Sequence, residues 1–189
     1  MQTYQELVSY HEPTGQSVRG SIAGELVARC VVEALASTLY RVLADACDDC
    51  TVRAMYATLA RDEARHFGMF LRMLNALQGS ERASWLPRIV YAIRRMLQLE
   101  DGQIMAASGI IAGRRPRPAT LRREANWYLR QLYGRYRWKH ARYAMQMLLR
   151  TVGLDRFRML LPVGTALLLT AVKLRWLWAK VASRRWPPV

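Results

Sequence analysis

Glu63 and His66 stand three residues apart in Asp62-Glu63-Ala64-Arg65-His66. On a helix of 3.6 residues per turn, that spacing puts a carboxylate and an imidazole on one face, a turn apart and aimed at one point. A hard oxygen donor beside a neutral nitrogen donor suits iron, manganese or zinc. In helix bundles, a Glu from each of two helices and Glu-x-x-His from each of two others can hold a di-metal centre. One such motif alone is weak evidence. The placement of the other acids gives it weight.

Those acids need helices to carry them, and the chain reads as all-helical. Long runs lack Pro and Gly, and no alternation of apolar and polar residues is long enough for a sheet. Helix one is predicted over residues 21–46, with Glu33 inside the apolar stretch Val31-Val32-Glu33-Ala34-Leu35-Ala36. A carboxylate there is costly to bury without a partner. Cys47-Asp48-Asp49-Cys50 forms the turn, and either Asp can cap the next helix. Helix two covers 51–77 and carries the opening motif. Helix three spans 84–113, with Ser84 as a cap and with Glu100 and Asp101 as its only acids. Arg114-Arg115-Pro116-Arg117-Pro118 is a breaker. Helix four runs over 120–152, holds His140 and stops at Gly153. Asp155 can cap a fifth helix reaching Ser183, kinked near Pro162.

The turns set a register. In an antiparallel hairpin, residues equally far from the turn lie side by side. Glu33 and Glu63 average to position 48, inside the Cys47–Cys50 turn. Glu63 and Glu100 average to 81.5, in the turn after Gly79, and Glu100 and His140 average to 120, at the end of the breaker. Glu33, Glu63, His66, Glu100 and His140 are therefore expected at one height in a four-helix bundle, as metal ligands.

The pattern resembles the ferritin-like di-iron carboxylate superfamily, which places Glu on helix one, Glu-x-x-His on helix two, and the same again on helices three and four. Asp62-Glu63-Ala64-Arg65-His66 is also similar to the (D/E)-E-x-R-H motif of soluble acyl-carrier-protein desaturases. The likeness covers about residues 20–150, well in the first half and only partly in the second. It implies an antiparallel bundle with an additional C-terminal helix, and iron as the cofactor (two ions or one, with manganese as a substitute). It also implies oxygen activation on an apolar or carrier-bound substrate, served by an electron-donor protein. The departure is Arg137, which stands where the pattern wants a Glu three before His140. Either helix four is rotated and another group completes the site, or the second metal position is weakened or lost. Gln103, a turn from Glu100, is one such group, and Tyr133 and Tyr136 share the His140 face. Tyr40 and Tyr56 lie near the proposed level, to carry electrons or simply to pack. A rubrerythrin-like site is disfavoured because it needs four cysteines, and this chain has three.

Size and charge frame the remaining expectations. The 189 residues divide into a loose lead-in (1–19), a helical bundle (20–152) and a basic C-terminal helix (153–189) packed on the bundle or on a membrane. Net charge is +15 and lopsided: residues 1–81 hold seven Arg against ten acids, residues 82–189 twenty-two cations against four acids. An acidic carrier protein or an anionic membrane surface fits that imbalance. Nucleic acid ranks last, since no known motif for it is present. Three cysteines make no disulfide framework, and no signal-peptide pattern opens the chain, so a cytoplasmic protein is expected; peripheral association with a membrane and a homodimer are expected besides. Cys47-Asp48-Asp49-Cys50 lacks the two further ligands of a zinc site. Fourteen uncharged residues between Arg158 and Lys173 are too few to span a bilayer. Besides the oxidase, two readings stay open: a storage or peroxide-scavenging metal protein, and a metal-free basic helical protein on a membrane.

Overall fold

The computed structural model describes residues 20–99 and 118–183. Among these residues there are six α-helices, one short 3-10 turn and no strand. The helices are α1 (Ile22–Ala46), α2 (Cys50–Ala76), α3 (Trp85–Leu99), α4 (Pro118–Gly134), α5 (Trp138–Val152) and α6 (Leu160–Ala182), with the 3-10 turn at Gly79–Glu81.

The first hairpin forms where local chemistry puts it. Ser21 caps α1 by accepting from the Gly24 N–H at 3.0 Å, and Asp49 caps α2 by accepting from Val52 N–H at 2.9 Å. Arg53 donates to the carbonyls of Cys47 and Asp48, closing the turn between them. Three contacts fix the register of the pair. The Tyr40 and Tyr56 rings stack at 6.4 Å. Ser37 Oγ donates to the Ala60 carbonyl at 2.7 Å, and Glu33 lies against Glu63.

α1 is the hub, packed against α2, α3 and α5; α6 packs on α4 and α5. The core gathers Leu26, Val27, Cys30, Val31 and Ala34 of α1, Phe67 and Leu74 of α2, Ala92 of α3, and Met147, Leu148 and Val152 of α5. Arg88 is buried at the α2–α3 turn, where it donates to the Ala83 carbonyl, to Asn75 and to Thr151 on α5. Burial pushes the Cys30 thiol up to about 12, so that cysteine is an inert packing residue.

Three expectations change. The single helix over 120–152 is two helices, α4 and α5, broken at residues 135–137. Gly134, the last residue of α4, lets α6 pack closely there: a Cβ on it would stand 3.1 Å from the Trp176 indole nitrogen. Pro118 opens α4 at the first helical position, where its missing N–H costs nothing. The fifth predicted helix starts at Leu160, five residues after Asp155, and Pro162 lies in its first turn, not at a mid-helix kink. Helix three is described only as far as Leu99, so its predicted extension to 113 lies outside the described residues, as do Glu100 and Gln103.

α6 is the odd element. It is long and apolar enough, by length and composition, to cross a membrane, yet only 6% of its most apolar stretch is buried. Leu160, Val163, Leu167, Leu174, Leu177 and Val181 recur at intervals that keep them on one side, and all are exposed. On α3, Leu86, Val90, Ile93 and Leu97 make a second exposed apolar row.

Candidate metal centre

Glu33 on α1 and Glu63 on α2 meet across the hairpin, and His66 stands one turn along α2. One donor atom from each lies within 4.8 Å of the other two. His66 Nδ1 is 3.2 Å from Glu63 Oε2. The two carboxylates are half-buried and the imidazole is exposed, so the cluster opens to solvent on its histidine side.

The electrostatics follow from this packing. Burial, a hydrogen bond with Glu63 and the repulsion of the Glu63 charge push the Glu33 carboxyl up to about 7; His66 and Arg29 oppose the rise. Two carboxylates in hydrogen-bond contact repel when both are ionised, so Glu33 keeps its proton to higher pH than an isolated carboxylate does. A divalent cation would relieve that repulsion in the proton's place. Two carboxylate oxygens and one imidazole nitrogen are a donor set for iron, manganese or zinc.

The surroundings add groups that spacing alone did not single out. Ser37, one turn from Glu33, is buried and within 3.0 Å of the Tyr143 hydroxyl of α5 while donating to Ala60 of α2. It ties three helices together beside the cluster. Arg41 lies 3.9 Å over the Tyr143 ring. Only the break between α4 and α5 brings Tyr143 here, so no sequence signal preceded it. A groove of about 570 Å³ runs past these groups between α1, α2 and α5, lined by Arg41, Arg61, Lys139, Arg142, Asp45 and Tyr143.

His140 is not brought to the cluster. Its Nδ1 accepts from the Arg137 N–H at 3.1 Å, and its Nε2 donates to Asp45 Oδ2 at 2.7 Å. Both ring nitrogens are engaged, at the start of α5 and under the Cys47–Cys50 turn. Asp45 lies twelve residues beyond Glu33 on α1, roughly 18 Å along the helix axis. Lys139 first, then His140, holds the Asp45 carboxyl below the usual range. The expected common height fails here because position 120 lies inside α4, where no turn exists to mirror Glu100 onto His140. Arg137 is the residue before α5 and occupies no ligand position. Tyr136 packs edge-on to His140 and burial pushes its phenol up, so it belongs to that cluster too. α5 contributes Met147 and Leu148 to the core, and none of its residues joins Glu33, Glu63 and His66 in the cluster.

Comparison with protein-family models, with curated proteins and with solved structures finds no match to this chain.

Proposed function

We propose that this chain is a metal-dependent, ferritin-like oxidoreductase with Glu33, Glu63 and His66 as its metal ligands. The observation that carries the reading is the convergence of those three donors within 4.8 Å. Iron held there by Glu33, Glu63 and His66 would pass electrons from a donor protein to dioxygen, with manganese as an alternative occupant. The residues supply the rest. Glu33 and Glu63 would neutralise the cation, which would take the place of the proton that Glu33 holds more tightly than an isolated carboxylate. Apolar side chains of the core close the inner side against water. Tyr143, held by Ser37 and Arg41, stands by as a phenol within a turn or two of the ligands.

A second observation bears on the substrate. The exposed apolar row of α6 has its neighbouring cations turned back to protein: Lys173 donates to the Gly134 carbonyl and Arg175 to Asn126. That arrangement favours α6 lying along a membrane surface with its apolar side in the lipid. An apolar substrate would then be drawn from the bilayer, and the groove bearing Arg41, Arg61, Lys139 and Arg142 would take an acidic carrier or headgroup. A storage role is the alternative, and a large hollow oligomer would favour it.

The test is elemental analysis of protein grown with iron, together with oxygen uptake by the reduced protein. Bound iron that is lost in Glu63→Ala and His66→Ala, with uptake lost in parallel, is the expected result. Iron retained without oxygen uptake would leave a storage protein, and protein with no metal would end the metal reading.

A further inference from the structure

The triad is half of a set. Di-metal bundles take a carboxylate from each of two helices and Glu-x-x-His from each of two more. α1 and α2 supply one of each. Among the described residues no further His, Cys, Asp or Glu joins Glu33, Glu63 and His66 in the cluster. The open side is where the missing half has room.

That side carries a pattern. Met55, Leu59, Asp62, His66, Met69 and Met73 follow one another at alternating intervals of four and three, the seam spacing of a helix that packs against another helix. Met55, Met69 and Met73 are 41–52% exposed. At about 100° per residue, the row lies roughly a quarter-turn round from the α1-facing residues and nearly opposite those lining the α5 groove. Arg65 and Arg72, both exposed, border it on the side away from α1, giving the apolar strip a charged edge of the kind found at protein interfaces and unsuited to lipid. The row also reads the same from either end, with Ala64 at its centre. An antiparallel copy laid on it sets Met55 on the partner's Met73, Leu59 on the partner's Met69, and Asp62, paired with Arg65 on its own helix at 2.7 Å, level with the partner's His66. Charge does not oppose this pairing. The cationic excess sits after residue 81, and the first 81 residues hold more acids than arginines.

We propose that two copies of this chain pack hairpin to hairpin about a two-fold axis through Asp62–His66, each giving Glu33, Glu63 and His66 to one di-metal centre of four carboxylates and two imidazoles. The proposal rests on the metal reading above. The half-buried Val32, Ala36 and Leu39 of α1 border the same face and would be covered with it.

Full-length protein in mild detergent, studied by sedimentation and by manganese(II) titration with EPR, tests it. The expected result is a dimer that binds two manganese ions, spin-coupled to each other. Met69→Glu and, at the other end of the row, Met55→Glu should each give a helical monomer that binds manganese at least tenfold more weakly, without coupling. Both positions are exposed, so folding is not at stake, and circular dichroism checks it. A wild-type monomer that binds manganese would overturn the dimer and leave the metal reading standing, and so would variants that lose the dimer and keep full affinity. A wild-type dimer that ignores manganese would refute the metal reading and the proposal with it.

Discussion

Glu33 is the residue on which site and stability pull against each other. Its carboxyl titrates near 7 in the folded chain against an ordinary value of 4.5. Between those values the folded state binds more protons than the unfolded state, so metal-free stability falls as pH rises from about 4.5 to 7 and levels off above. Because the site is largely open to solvent, screening reduces the effect to the order of 1 kcal/mol. In the presence of a chelator, Glu33→Gln should therefore raise the melting temperature at pH 8 and leave it nearly unchanged at pH 4. Adding manganese at pH 8 should stabilise wild type and do little for the variant. A variant that is less stable than wild type at pH 8 without metal would show that Glu33 serves packing, not ligation.

The α1–α2 hairpin is the element that makes the triad, and Ser37 is its pin. The hydroxyl is fully buried, donates to Ala60 on α2 and meets Tyr143 of α5. Ser37→Ala should cost about 1 kcal/mol in chemical denaturation, the usual net worth of such a bond, and the loss should fall on the α1–α2–α5 junction. Hydrogen exchange would report it as faster opening of α5 near Tyr143 than of α6. Helix ends are set just as locally. α5 starts just after Arg137, whose N–H the His140 side chain accepts, so the histidine expected to ligate a metal instead caps its own helix.

At the scale of the whole molecule, apolar residues left outside the core need an environment. α6 carries exposed Leu160, Val163, Leu167, Leu174, Leu177 and Val181 along its length, a row too long for an ordinary soluble surface. Flotation with vesicles rich in anionic lipid should recover wild type, and Leu167→Glu with Leu174→Glu should abolish recovery while leaving metal content unchanged. Neutral vesicles should recover less, since the cationic second half adds electrostatic attraction that salt weakens. If the double variant floats as well as wild type, α6 is covered by something other than lipid.

The first hairpin was legible because everything that positions it is close in the chain. A short turn with Asp49 as cap and two strongly periodic runs leave few ways to pair, so Glu33, Glu63 and His66 follow from counting outward from residue 48. The all-helical class was legible for the same reason, from the long runs free of Pro and Gly. The second half was not. Its register depended on whether residues 120–152 formed one helix, and they form two, with Gly134 at the end of the first packed against Trp176 from forty residues later. Once that break occurs, α5 turns to α1 on its own terms. His140 then meets Asp45, and Tyr143, not Tyr136, meets Ser37, one turn from Glu33. Local backbone preference and turn length are written along the chain. Which distant helix fills the last face of α1, and which apolar rows stay uncovered, is decided only by competition among whole surfaces in the folded protein.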